Sequence, residues 1–435
     1  MKNKILFLAL FIVIGIQAQS VDKVRIDSLF NTIENNQQDL GAVSIFKNGK
    51  EVYKRTFGEI DIAALKKTPN LKYNMGSVSK MVTASLIFKL MDQKKLNLDD
   101  KLSLFFPEIP NAKNITIQNL LGHTSGLQNF IIKKEDGSNW LINGEVSEKN
   151  ILNEIIEQNI AFQPNEKVLY SNSAYYLLSK IIEKVHHSEY AKVLEQEIIK
   201  PLKLKDFASF HNVNYKDIIP SYQYDNGWKP VKDFYFGNVV GVGDIAATAF
   251  DMNVFIQNLF AGRIVSLKSL RQMLPKQDRF FGNGLINSSF GGNSLFGHHG
   301  DTYGSHSIVL YNPENNMAIS LVLNGERMSK DDVVYALLQI IFKNKKSIKD
   351  RQIDEISSKL IEGSYISSDL PMTFKISTEN QFLKAEVDDQ PAFLLDRIGK
   401  NRFEFFAAGI VLEFDPVRKS MKLVQRGQEY GFLKK

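Results

Sequence analysis

The 435-residue chain contains no cysteine. That absence excludes disulfides, a thiol nucleophile, a cysteine-ligated zinc and a lipid-modified N-terminal cysteine. No Lys/Arg block and no basic stripe interleaved with aromatics stands out, so a formal charge of +6 leaves no footprint for nucleic acid. None of the seven histidines belongs to an H-E-x-x-H, and the neighbours His186 and His187 would point about 100° apart on a helix, so no metal and no other cofactor is expected. Internal repeats and low-complexity tracts are also missing. So is an apolar run of the ~20 residues that a membrane-spanning helix needs.

What is present begins with Lys2 and Lys4, an apolar stretch from Ile5 to Ile16, and Gln17-Ala18-Gln19. This is the layout of a secretory signal peptide, 1–18, cleaved after the small Ala18. The mature chain then keeps no stable membrane anchor and is expected in the periplasm or outside the cell. Without disulfides it must be held by its core, and a hydrophobic content of 43% with 11% aromatics can supply one.

Apolar and polar residues alternate from Gly41 to Phe57 around Asn48-Gly49, which predicts a β-hairpin closed by a type I′ turn. From Ser77 to Leu96 the apolar residues Met81, Val82, Leu86, Ile87, Leu90 and Met91 recur at helical spacing, placing Ser77 at a helix N-terminus. Asn172 to Val185 reads as a second amphipathic helix, and Thr248 with Asp251 opens another. Ser305 to Tyr311 and Met317 to Asn324 read as strands around a turn cluster, followed by a closing helix from Ser329 to Phe342.

Strands at both ends with helices between them predict an α+β domain over 20–345. Its antiparallel sheet is flanked by helices and carries an inserted helical subdomain. A polar, lysine-rich segment at 343–351 reads as a linker. Beyond it, short alternating runs predict a small all-β barrel or sandwich over 352–435.

Ser77-Val78-Ser79-Lys80 is an S-x-x-K, and on a helix the first and fourth side chains share a face. A serine hydroxyl needs a base near neutral pH, and a desolvated lysine amine can be one. Two other matches exist, Ser20/Lys23 and Ser44/Lys47. The first adjoins the expected cleavage site, and the second lies in the hairpin, where such a pair points to opposite faces. Tyr170-Ser171-Asn172 precedes an amphipathic helix and offers a hydroxyl for proton transfer and an amide for orienting substrate. Tyr224-Asp225-Asn226 repeats the pattern in a polar loop. Gly297-His298-His299-Gly300 leads into a strand, where an imidazole could meet a substrate carboxylate or the hydroxyl relay and a strand edge could offer a backbone N–H to an oxyanion.

In this order SVSK at 77–80, YSN at 170–172 and HHG at 298–300 resemble the three motifs of serine β-lactamases and penicillin-binding proteins, nearest to the class C-like branch with its D-aminopeptidases and esterases. ITIQNLLGHTSGL at 115–127, LNLDDKLSLFFP at 96–107, PNEKVLYSNSAYYLL at 164–178 and the glycine-containing approach at 241–248 extend the resemblance across about 25–345.

The resemblance implies Ser77 as acylated nucleophile, Lys80 as its activator and Tyr170 as proton shuttle. It further implies substrate contacts from Asn172, His298 and Gly300, and an oxyanion hole of the Ser77 and Asp301 N–H groups. His123 is expected to fix a loop. Histidine at 298 replaces the lysine of many β-lactamases and shifts the expectation from β-lactams to D-peptides and esters, including small or short-peptide substrates derived from peptidoglycan. Asp301 adds a negative charge at the same edge. The other reading is a non-turnover penicillin- or cell-wall-peptide-binding protein on this fold.

Overall fold

The computed structural model describes residues 21–58, 72–212, 217–231, 234–276, 279–342, 353–368, 370, 372–379, 382–387, 393–405, 410–425 and 428–435. The expected signal peptide, 1–18, and the linker at 343–351 lie outside the described residues.

Strands β1 (Asp39–Lys47) and β2 (Lys50–Phe57) form the predicted hairpin, with Asn48 at φ 51° and Gly49 at φ 80°, the signs that a type I′ turn demands. Strands β3 (Phe296–Asp301), β4 (His306–Asn312) and β5 (Met317–Glu326) come from far later in the chain, and β5 pairs directly with β1 from Asp39↔Glu326 to Lys47↔Met317. The order across the sheet is β2-β1-β5-β4-β3, followed by the short strand Ile286–Asn287, and each of these pairs is antiparallel. This is the α+β architecture expected.

Pleat alternation gives the sheet two apolar faces. Val43, Ile45, Ile308, Leu310, Ile319 and Leu321 bury themselves against α1 (Lys23–Asn35) and the closing helix Lys330–Phe342. Ala42, Val309, Ala318 and Val322 instead meet the large core shared with α2 (Ser79–Asp92), α3 (Asn172–His186) and α4 (Ala249–Phe260). Inside that core Asn253 of α4 donates to Ser44 O and accepts from Ser320 Oγ, both at 2.8 Å, so a buried amide bolts the helix to β1 and β5.

Two boundaries differ from expectation. Ser77 lies on a single 3₁₀ turn, Gly76–Val78, that feeds α2, and α2 stops at Asp92 because Lys94 turns left-handed at φ 59°. Ser44 of the alternative S-x-x-K is a buried strand residue hydrogen-bonded to Glu51.

The C-terminal strands close an eight-stranded barrel between Gly363 and Lys434. Phe374, Leu383, Phe403, Leu412, Leu423 and Phe432 belong to a core of its own. The first and last barrel strands, Gly363–Ile366 and Gln428–Lys434, which pair to close it, and the helix Glu355–Ile361 before them were not legible as elements.

Candidate active site

The sheet edge and the 3₁₀ turn meet at two glycines. Gly76 adopts φ 50°, and a side chain there would press on Thr302 Cγ2 at 2.7 Å and on the Asp301 backbone nitrogen at 3.2 Å. A Cβ on Gly300 would stand 2.1 Å from Met75 O and 2.5 Å from Ser307 Oγ. Ser305 and Ser307 donate to Asn74 O and Met75 O at 2.9 and 2.8 Å, tying β4 and the loop before it to the segment leading into Ser77. What the structure shows of Gly300 is therefore this close approach. It sets the backbone of Asp301 beside the turn that carries Ser77.

Lys80, one helical turn on, is fully buried, and its Nζ lies 2.9 Å from Ser77 Oγ. The amine donates to Val242 O at 3.1 Å, and no described carboxylate pairs with it. Burial therefore drives its pKa well below 10.5. Val242 is held in a turn built for the purpose. Gly241 is left-handed at φ 71°, its carbonyl accepts from Thr83 Oγ1 at 2.7 Å, and its N–H donates to Asp244 Oδ1 at 2.8 Å. Asp244 also accepts from Ser209 Oγ at 2.5 Å, and complete burial pushes its carboxyl up to about 6.

Tyr170 lies with its ring centroid 4.7 Å from Lys80 Nζ. Its ring is 4.6 Å from that of His123, 5.8 Å from Phe281 and 6.5 Å from His298. His123 holds the Tyr170 loop from both sides, accepting Leu169 N–H on its carbonyl at 2.9 Å and Ser171 N–H on Nδ1 at 3.2 Å. Burial, with Lys80 and His298 nearby, keeps this imidazole uncharged, which that acceptor role requires. Ser171 then caps α3 by accepting from Ala174 N.

Asn172 follows as the first residue of α3. Its Nδ2 donates to Asn129 Oδ1 at 3.0 Å, while its buried Oδ1 has no partner. An acceptor left bare inside protein costs free energy unless a ligand supplies the donor.

At His298 a backbone contact sets the tautomer. Its Nδ1 is 2.6 Å from the His299 carbonyl oxygen, which can only accept, so Nδ1 carries the proton and Nε2 is left as an acceptor. Burial pushes its pKa down to about 3. A neutral ring with a bare lone pair repels a carboxylate and suits a hydroxyl instead. At the same edge the negative charge of Asp301 is paired. His306 Nδ1 contacts it at 2.8 Å and the Lys330 ammonium pairs with it, holding the carboxyl well below its ordinary range despite the upward push of burial.

The structure thus brings Ser77, Lys80, Tyr170 and His298 into one cluster, with the Gly300–Asp301 backbone against the turn that carries Ser77 and with Asn172 two residues beyond Tyr170 on α3. Tyr224-Asp225-Asn226 is elsewhere, in a turn closed by an Asp225–Lys229 ion pair. Asn129, Asp244, Ser305 and Ser307 escaped the sequence reading. Only Asp244 carried a signal, as an acid closing Gly-Val-Gly-Asp at 241–244.

Known proteins resemble this chain in sequence and in fold. The beta-lactamase family model matches residues 27–340. Penicillin-binding protein 4* of Bacillus subtilis is 24% identical over 93% of this chain and 97% of its own. The teichoic acid D-alanine hydrolase of Staphylococcus aureus is 25% identical over 73% of this chain and 76% of its own. Among solved structures, D-amino acid amidase from Ochrobactrum anthropi SV3 with D-phenylalanine superposes with a TM-score of 0.66 at 22% identity, covering 74% of this chain and 99% of the other. The octameric penicillin-binding protein homologue from Pyrococcus abyssi also reaches 0.66 at 21% identity, over 95% and 100%.

Proposed function

The chain belongs to the beta-lactamase family and is a serine hydrolase, and from that premise we propose that it is an exported enzyme cleaving amides or esters of D-amino acids through an acyl-enzyme on Ser77. The observation that carries the proposal is the Lys80 amine, buried with no described carboxylate paired to it and 2.9 Å from the serine hydroxyl. An uncharged amine at hydrogen-bond distance is a general base.

In this reading Ser77 Oγ attacks the carbonyl carbon and passes its proton to Lys80. The developing oxyanion takes the N–H groups of Ser77 and Asp301. Tyr170, with its ring against Lys80, delivers the proton to the leaving nitrogen or oxygen. Water then repeats the sequence to free the acid and Ser77. The bare Asn172 Oδ1 receives a substrate N–H. His298 accepts a hydroxyl proton and offers no cation, which favours substrates that bring no carboxylate to that edge. The names of the relatives, an amidase of D-amino acids and a D-alanine hydrolase, support the D-amino-acid class, including cell-wall-derived material. The same proposal places cleavage after Ala18, the periplasm or exterior as location, the hydrolase at 20–345 and an appended unit at 352–435.

A fluorophosphonate should add to the protein once, and Ser77→Ala should abolish the adduct in intact-mass analysis. Tyr170→Phe should lower turnover of a D-alanine nitrophenyl ester by ~10²-fold. A stable Ser77 adduct with no turnover of any D-amino-acid ester or amide would make the protein a binder instead.

A further inference from the structure

Lysine is a poor residue with which to begin a buried helix. A cation in the first turn opposes the helix dipole, and an ammonium taken out of water costs free energy unless it is paired. Lys330 is nevertheless the first residue of the closing helix and is only 8% exposed. Asp331 and Asp332 follow it and are the acids that a first turn favours, so the helix alone gives no reason for a lysine at this position. The reason lies across the sheet edge, where the ammonium meets the Asp301 carboxylate.

Asp301 is the last residue of β3 and is registered on His306, the first of β4. Gly300 faces Met75, so pleat alternation sends the Asp301 side chain to the opposite face, where the closing helix packs. On that face Asp301 Oδ1 accepts from His306 Nδ1 at 2.8 Å and from Lys330. His306 Nε2 lies 3.5 Å from Glu326 Oε2 at the end of β5. Arg327, next in sequence, is turned away over the Tyr224 ring at 3.8 Å. Lys330, Asp301, His306 and Glu326 thus form one chain of charged and polar groups drawn from the closing helix and three strands.

The other side of Asp301 is its N–H, the proposed donor to the oxyanion, and the carboxyl carbon is three bonds from that nitrogen. An unpaired carboxylate there would repel the charge that develops on the substrate carbonyl. With the side chain 58% exposed, an effective dielectric constant of about 20–40 applies, and one unit charge roughly 6 Å away then changes a rate by about 10- to 100-fold. A neutralised carboxylate leaves the amide dipole unopposed.

We propose that Lys330 is a positioning residue for hydrolysis: with His306 it neutralises and pins the Asp301 carboxylate from behind the sheet, so that the Asp301 N–H meets the oxyanion from an edge without an uncompensated negative charge. The inference rests on the reading of that N–H as an oxyanion donor.

The test replaces Lys330 by methionine, which keeps the apolar stem and removes the charge. For a D-alanine nitrophenyl ester, kcat of Lys330→Met should fall about 10- to 100-fold while KM stays within about twofold of wild type. Affinity for phenylboronic acid, whose tetrahedral adduct on Ser77 is an anion like the transition state, should fall by a similar factor. Asp301→Asn/Lys330→Met should recover most of both losses, because the charge that needed a partner is gone, and Lys330→Arg should lose little. His306→Leu removes the other donor and should give a smaller loss that Asp301→Asn again reverses; it carries the test if Lys330→Met does not fold. A Lys330→Met protein with wild-type kcat, or a loss that Asp301→Asn leaves in place, overturns the positioning role and leaves the hydrolase reading intact. Wild-type protein that takes neither a fluorophosphonate nor a boronate on Ser77 overturns the hydrolase reading itself.

Discussion

Gly300→Ala probes the joint between the proposed oxyanion edge and the proposed nucleophile more sharply than any change to a polar side chain. The new methyl carbon would stand 2.1 Å from the Met75 carbonyl oxygen, whereas real Cβ contacts essentially never fall below 3.0 Å, so strand and turn must separate by at least 0.9 Å. Neither side can yield cheaply. Strand β3 is registered on β4 from Phe296 to Asp301, and Met75 O is held by Ser307 Oγ at 2.8 Å. A shift near 1 Å between the Asp301 N–H and Ser77 is of the size that costs roughly 10²-fold in rate, and overpacking a buried site costs about 1–3 kcal/mol. We expect nitrophenyl ester turnover to fall ~10²-fold with a melting temperature lowered by only a few degrees. Adding Ser307→Ala should not rescue it, because the main clash is with backbone. Gly431→Ala in the barrel, where nothing lies within 4 Å of the added carbon, is the neutral control. Wild-type turnover in a folded Gly300→Ala protein, or rescue by Ser307→Ala, would refute the reasoning.

Three further outcomes are expected. The acid limb of kcat/KM should fall at a pH well below 10.5, because Lys80 works only when uncharged and burial lowers its pKa; a limb near 10.5 removes it as the base. Asp244 titrates at about 6 in the fold against an ordinary 3.8, so its folded form holds a proton that the unfolded chain loses, and its contribution to stability is full below about pH 4 and lost as pH rises through 6. Asp244→Asn keeps an oxygen for the Gly241 N–H and carries no such loss, so denaturant melts should show it gaining on wild type by on the order of 3 kcal/mol between pH 4 and 7; a pH-independent difference refutes the buried carboxyl. Residues 353–435 expressed alone should unfold cooperatively with a β-type circular dichroism spectrum, since their core is self-contained; a structureless fragment would tie the barrel to the hydrolase.

The hairpin, α3 and the central strands were legible because each rests on local signals: Asn48-Gly49, an apolar stripe, a period of two. The 3₁₀ turn under Ser77 was not, because its cause is the approach of Asp301 to Gly76 across more than two hundred residues. The acidic and histidine positions show the same division. Sequence could name His298, yet its tautomer is decided by the His299 carbonyl, and the Asp301 charge is decided by Lys330 on the closing helix. Side chains at 77, 80, 170 and 172 sit on motifs with helical context, so they could be found. Val242 could not, because it contributes only a carbonyl oxygen and any residue has one.

The direct pairing of β1 with β5 has a temporal consequence. Met75 and Ser307, which join the turn that carries Ser77 to the strand beside the proposed oxyanion edge, are 232 positions apart. Closing so long a span is slow relative to local helix formation. A chain emerging N-terminus first can coil α2 early and bring Lys80 near Ser77, but it has no oxyanion edge until β3, β4 and β5 have all arrived. An assembly intermediate is thus reactive in neither sense, lacking both the edge and the dry surroundings that strip the lysine of its proton. Hydrolytic competence arrives only when the last strand of the main sheet has joined, and a chain still extended is harmless to whatever substrate it meets on the way.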